Sequence, residues 1–566
     1  MKKIFLFALL VLAASSCELD YYPSDAMTSA QLADNPASAV YSTDGNYSMF
    51  KSTLEYKGSN YSANTYMRHY LCMAEYHGDN AALCGKTTDA LYGQICYNDL
   101  ATDSPNAYLW WCAYHIIYGA NAVIEGLPVG TSPVYDHMLG ENYFMRAICH
   151  LHLVTLFARP YSMGRDNPGV ILRTSTKDDV AVRATVGQVY DQIRDDLITA
   201  AELMKGDESR VVNHGYASRD AALGLLSRVY LYREENDKVI ETVNTMLNGA
   251  DPSSKLDPDV ENYFANALTS PETLWCIAYK GKEDYPEWTG KESYGSMLYA
   301  ADYKGGTGWC EIYYSDPLVK LFQRHPEDRR YTGLCEQLNP VDGEYQVRWS
   351  VPDVDNNFRL NELHDAMQET DGRWYYLNDA GQKEYITATP DSKVKGQINY
   401  SVEMNGETCT AYIDRKCDVG NTLPIFMCRK FTGQDGIVML SSPVMIRWAE
   451  VILNRAEAYA KQGNTADALA DVNTIRQRAG ITEAYTAGNI KDAGYDDVLS
   501  VVLDERRMEF CFEGHRAFDV YRNKLKMDRR FSGVQPWEEI DYTDNRIVYY
   551  IPYDEISVSG IPQNNR

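Results

Sequence analysis

No apolar run of about 18 residues follows the N-terminal segment, so nothing downstream reads as a membrane-spanning helix. The 54 Lys and Arg are gathered into no patch, and 79 Asp and Glu leave a formal net charge of −25. A surface that neutralises phosphates is thereby excluded, and nucleic acid with it. The 13 cysteines include no CxxC pair and no dense cluster. Cys112, Cys149 and Cys511 sit among apolar residues of helical pattern, where a thiol behaves as a small hydrophobe, so free buried cysteines are expected rather than a disulfide framework. No GxSxG, HExxH, Walker A or dinucleotide-binding loop is present. His150 and His152 fall on different faces of one helix, which argues against joint metal ligation. Asp353, Asp355 and Asn357 have calcium-loop spacing, but Phe358 stands where the sharp turn needs glycine. No metal or cofactor is expected.

Phenylalanine is also scarce, at 14 residues, beside 44 tyrosines and 9 tryptophans. That imbalance favours rings with a flat apolar face and a polar tip, suited to wet binding surfaces. At the N-terminus Lys2 and Lys3 precede an apolar run from Ile4 to Ala14 and then Ser15, Ser16 and Cys17. The run is too short to span a bilayer and reads as a signal peptide, residues 1–16. Small residues before Cys17 match a lipobox, so Cys17 is expected to be the acylated first residue of the mature chain. Residues 17–35 then form a lipidated tether, acidic and containing Pro23.

Helix-period apolar spacing runs from 36 to 250, as in Phe144, Ala147, Leu151, Val154 and Phe157. Glu234 to Asp237 breaks the pattern like the turn of a helical hairpin. From 251 to 439 the texture changes to glycines, scattered aromatics and short β-like runs, such as Thr273 to Tyr279, in which Trp275 reads as packing. Helical pattern resumes at Pro443, with a break at Gly463-Asn464 and Thr465 as the expected N-cap. Ala456, Tyr459 and Ala468 fall where tetratricopeptide helices place small and aromatic packing residues. The expectation is a mostly α chain: a tetratricopeptide-like scaffold over 36–250 and 440–566 carrying a loop-rich, short-β insertion over 251–439.

Four ordered blocks then carry a resemblance. Pro443 to Tyr459 contains IRWAEVILNRAEAY, Ala468 to Gly480 reads ALADVNTIRQRAG, Leu503 to Asp519 contains ERRMEF and FEGHRAFD, and the chain closes on Ile551-Pro552, Glu555-Ile556 and Pro562-Gln563-Asn564. These resemble the SusD/RagB family, with weaker echoes in Trp111 to Asn121, Arg146 to Pro160 and Ala221 to Tyr230. The resemblance implies one domain over 36–566, lipid anchoring at the outer membrane facing outward, and a role as glycan-binding partner of a SusC-type TonB-dependent transporter. It implies binding, not catalysis. Two alternatives stay open: peptide capture on the RagB branch, and a surface glycoside hydrolase, whose paired carboxylates leave no spacing rule. The acids and arginines of the third block, Glu505 to Asp519, are expected to pair with each other and tie helices together.

Sugar capture calls for aromatic faces beside short polar side chains. Two glycine-interrupted stretches fit: Tyr76, Asp79, Asn80, Tyr92 and Tyr97, and, in the insertion, Tyr285, Trp288, Tyr294, Tyr303 and Trp309. These ten are the expected ligand-binding residues.

Overall fold

A computed structural model describes residues 36–58, 65–83, 85–177, 180–284, 294–299, 308–353, 358–417 and 426–566. Helices dominate both ends of the chain: α1 (Ala39–Met49), α2 (Tyr66–Tyr76), α3 (Ser104–Gly126), α4 (Pro133–Phe157), α5 (Val186–Leu203), α6 (Arg219–Tyr232) and α7 (Asn236–Leu247). After the insertion come α9 (Trp448–Lys461), α10 (Thr465–Arg478), α11 (Val498–Glu509) and α12 (Arg516–Arg522), with α8 (Asp316–Phe322) inside the insertion. The starts are written in the sequence. Ser132 accepts from Tyr135 N ahead of Pro133, Thr185 and Gln188 form a reciprocal capping box, and Ser218 accepts from Ala221 N.

From α3 to α7 each helix packs on the next, α7 packs on α9, and α9 packs on both α10 and α11. The two helical stretches are therefore one stack of antiparallel pairs, and the chain leaves it after α7 and re-enters at α9. This is the tetratricopeptide-like arrangement expected. The hairpin at Glu234–Glu235 is present between α6 and α7. One core cluster runs through both stretches, from Phe50 to Ile561. At its centre Trp275 is buried with its ring edge-on to Phe50 and Phe144, at 5.5 and 5.1 Å.

Three details differ from expectation. Residues 444–447 are a strand, not the first turn of a helix: β11 (Val444–Arg447) pairs antiparallel with β2 (Thr273–Cys276), and the helix starts at Trp448. Asn464, not Thr465, caps α10, its side chain accepting from Asp467 N. The insertion carries long strands as well as short ones. β4 (Pro340–Asp353), β5 (Phe358–Gln368), β6 (Trp374–Leu377), β7 (Lys383–Tyr385), β8 (Thr387–Pro390), β9 (Ile398–Met404) and β10 (Glu407–Cys417) form one antiparallel sheet in the order β7-β6-β5-β4-β10-β9-β8. Its inner face has its own core, with Val347, Trp349, Ala366 and Tyr376.

Among the described residues eleven cysteines are free and all but Cys96 are buried, as the apolar surroundings of Cys112, Cys149 and Cys511 suggest. Among the described residues no helix is long and apolar enough to cross a membrane. Cys17, the tether and the 354–357 part of the calcium-like spacing lie outside the described residues.

Candidate functional site

The two aromatic stretches are far apart in sequence, yet a two-residue ladder joins them. β1 (Ala81–Ala82) pairs antiparallel with β3 (Tyr313–Tyr314), Ala81 opposite Tyr314 and Ala82 opposite Tyr313. Just before β3, Trp309 N donates to Ser296 O at 2.7 Å. Cys310 follows with φ 49°, a left-handed backbone that a non-glycine residue adopts only when its surroundings hold it there. The result is a sharp turn: Cys310 is buried while the Trp309 indole remains 39% exposed.

Of the expected residues, the structure turns five inward. Tyr76 and Tyr294 are buried, the latter with its ring edge-on to Phe431 at 4.9 Å. Asp79 accepts from Arg516 at 2.7 and 3.1 Å and lies 3.3 Å from Arg507. Burial pushes its carboxyl up, but the two guanidinium groups outweigh that and hold it at about 2. Asn80 Oδ1 accepts from Arg507 Nε at 2.9 Å, and Tyr97 bonds His77 O and Tyr521 Oη, both at 2.8 Å, beneath the Arg529 guanidinium. Asp79, Asn80 and Tyr97 anchor the loop to the C-terminal helices, and Tyr76 and Tyr294 pack into the core. Tyr92 is half-buried on the rim. Tyr285, Trp288 and Tyr303 lie outside the described residues.

Around the open rings the structure adds side chains that the sequence did not single out. Arg68, buried on α2, pairs with Asp89 and donates to Met297 Sδ. Thr87 Oγ1 donates to Glu311 Oε1 at 2.7 Å. The other carboxylate oxygen, Glu311 Oε2, is buried and has no hydrogen-bond partner among the described residues. Burial first, and the Asp89 charge as well, push the Glu311 carboxyl up. The loop at 531–537 closes on the same segment. Cys96 Sγ reaches Val534 O, Gly533 N donates to Arg359 O at 2.8 Å, and the Arg359 guanidinium lies 4.5 Å from the Trp537 ring, which is 37% exposed. Exposed rings beside carboxylates with spare acceptor capacity suit a sugar: its C–H face lies on an indole while its hydroxyls donate to oxygen. The position of Glu311, two residues past Trp309, was the available signal.

Comparison with known proteins then decides the family. A model described as the SusD family matches residues 271–559, just over half of the chain. The chain belongs to the SusD family. A second model, described as starch-binding and associating with the outer membrane, matches residues 45–231. SusD-like protein P2 of Formosa agariphila is 24% identical over 426 residues, covering 74% of this chain and 71% of the relative. Among solved structures, a SusD superfamily protein from Bacteroides thetaiotaomicron superposes with a TM-score of 0.67 at 22% identity, covering 94% of this chain and 99% of that one. A laminarin-binding SusD-like protein superposes at 0.58 and 19% identity, covering 93% and 98%.

The charged blocks that carry the SusD resemblance are buried and paired. Arg447 donates to Glu513 at 2.9 Å, Glu509 at 2.6 Å and Glu272 at 2.8 Å. Arg330 joins Asp328, Glu505 and Glu509 at 2.7 to 2.9 Å. A second group links Arg522 to Glu457 and Arg506 to Asp519. Each fork faces at least one carboxylate, so these arginines tie α9, α11 and α12 together. His150 bonds Arg146 O and His152 bonds Tyr66 Oη, each in its own surroundings. Among the described residues no group of three or more His, Cys, Asp or Glu side chains could hold a metal ion.

Proposed function

We propose that this SusD-family chain captures oligosaccharide or polysaccharide at the cell surface and passes it to a SusC-type TonB-dependent transporter, held to the outer membrane by acylated Cys17. It acts by binding and not by catalysis. The observation that carries the reading is the β1–β3 ladder, which brings the loop of half-buried Tyr92 to the segment of exposed Trp309 and Glu311, one of whose carboxylate oxygens has no hydrogen-bond partner among the described residues. The laminarin-binding relative supports the ligand class. The capture residues proposed among the described ones are Tyr92, Trp309, Glu311 and Asp89; Tyr285, Trp288 and Tyr303 are proposed with them from the sequence.

The test is a binding array of neutral glycans and of peptides on the mature chain, followed by calorimetry of the best ligand against Trp309→Ala and Glu311→Gln. Capture by this site predicts glycan binding that weakens in both variants. Binding of peptides alone, or new reducing ends released from bound glycan, would overturn it. Anchoring is checked separately: Cys17→Ala protein should leave the membrane fraction or stay unprocessed, since a single acyl chain binds membranes only marginally and several are needed. A β-barrel of transporter size should accompany the protein through gentle detergent extraction, across an interface above about 2,000 Å².

A further inference from the structure

A second concavity lies away from the rings just described, between the C-terminal end of α8 and the outer face of the insertion sheet. It encloses about 450 Å³, within the usual range for small-ligand sites. Lys320 and Arg324 line one wall and Tyr412 on β10 lines another, while Tyr400 on β9 turns its ring to the inner core. The turn 394–397 forms the third. That turn is pinned: Lys395 N donates to Asp492 O at 2.8 Å and Val394 bridges Ala493. That wall is therefore fixed from outside the insertion, by residues 492–493.

Its charges are unevenly matched. Arg348 is taken up by Asp316 and Asp414, and Lys395 by Asp492 at 3.0 Å. Asp391 accepts from the backbone of Lys393 and Val394 and from Asn399 Nδ2, donors that hold its carboxyl at about 2. Lys320 Nζ, by contrast, donates to an amide oxygen, that of Asn399. Burial pulls its ammonium pKa down; Asp391 opposes that and the adjacent Arg324 reinforces it. Arg324 makes no ion pair among the described residues, and its Nε is buried without a partner. Gln397 Oε1 is a buried acceptor with none. In a chain with a formal charge of −25, two neighbouring cations that make no ion pair among the described residues are a conspicuous feature.

We propose that this cleft is a second saccharide site, selective for a sugar residue that carries an anionic substituent. Lys320 and Arg324 take the anion, Gln397 accepts from a ring hydroxyl, and the half-buried Tyr412 ring, on the same outer face as Arg348, meets the sugar's C–H surface. A carboxylate and a sulfate ester share this chemistry, whereas a bare inorganic anion would leave the tyrosine wall and most of the volume unused. The site rests on the saccharide-capture reading but uses none of the residues of the first site.

The experiment is calorimetry on the mature chain with three probes: trigalacturonate, its fully methyl-esterified form, and a sulfated trisaccharide from carrageenan. At least one anionic probe should bind about tenfold or more tighter than the neutral ester, and 0.5 M NaCl should weaken it. Comparing the two anionic arms tells carboxylate from sulfate. Lys320→Ala and Arg324→Ala should each lose about fivefold or more for that probe, while Lys320→Arg retains it and neutral-glycan affinity stays within twofold in all three. Equal binding of acid and ester, or full affinity in both alanine variants with unchanged melting temperatures, overturns the proposal. Anion binding lost in those variants, in a protein that binds no neutral glycan, would keep this cleft and refute the first site instead.

Discussion

Arginine and lysine appear in two settings in this molecule, and the contrast separates architecture from recognition. Around the α9–α12 block, Arg447, Arg522 and, reaching in from the insertion, Arg330 are buried and each faces two or three carboxylates at 2.5 to 2.9 Å. On the insertion, Lys320 and Arg324 line an open cleft and make no ion pair among the described residues. The same residue types therefore do opposite things. Where the fold supplies the counter-charge, the cation is a tie between helices, and where it does not, the cation is available to a ligand.

The sharpest way to break this contrast is to remove one cation from each setting. Arg447→Ala removes the buried fork that Glu272, Glu509 and Glu513 share, leaving Arg478, Arg330 and Lys430 to hold three interior carboxylates, and the expected loss is about 3–5 kcal/mol by denaturant unfolding. Arg324→Ala should change stability by no more than about 0.5 kcal/mol. Similar losses in both would erase the distinction.

A smaller effect tests the carboxylate side. Glu509 and Glu457 are fully buried, which alone would raise their carboxyls, but the arginines hold both well below the ordinary 4.5. Their contribution is present above that value and lost as pH falls through the folded pKa. Glu75 is equally buried but has no arginine: it accepts from Gly514 N, and burial pushes it up to about 7. Its folded pKa exceeds the unfolded one, so the folded state holds the proton longer and stability falls as pH rises from about 4.5 to about 7. Glu75→Gln should abolish that decline, gaining roughly 1–3 kcal/mol at pH 8 and little at pH 4. A Glu75→Gln protein whose stability curve parallels the parent's from pH 4 to 8 would contradict the assignment.

Smallest in energy is the loss of one exposed ring. Trp309→Ala should weaken glycan binding about three- to tenfold, worth about 0.5–1.5 kcal/mol, with the melting temperature unchanged. An affinity within twofold of the parent would remove Trp309 from the capture surface.

The helical scaffold was legible in the sequence because its signals are local. Period-3.6 apolar stripes, caps such as Ser132 and Ser218, and the four motif blocks each report on neighbours within a few residues. That the Glu505–Asp519 charges are structural ties was legible, but their partners were not: Arg506 pairs with Asp519 inside the block, whereas Glu505, Glu509 and Glu513 meet Arg330 and Arg447 from elsewhere in the chain. The sheet was harder to read. On β4 residues 346–350 are all buried, Val347 and Trp349 on the inner core, while Arg348 reaches Asp316 and Ser350 reaches Ser532 on the other face. A strand whose polar face is also covered shows no clean alternation to mark it. The fates of Asp79, Asn80 and Tyr97 were hidden by distance: Arg507, Arg516 and Tyr521 lie more than 400 residues along the chain. An aspartate and a tyrosine between glycines look like a loop awaiting a ligand until the arginine that claims them is in place. The value of the β1–β3 ladder is likewise nonlocal, since two alanines and two tyrosines carry no pairing signal.

The most direct test of the account is one calorimetric series with the best neutral glycan, run on the parent chain, Trp309→Ala, Glu311→Gln and the double variant. The account predicts three- to tenfold weakening for each single change, a further drop in the double variant, and equal melting temperatures throughout. Parent-like affinity in the double variant would show that the ladder-built rim is not where this protein holds sugar.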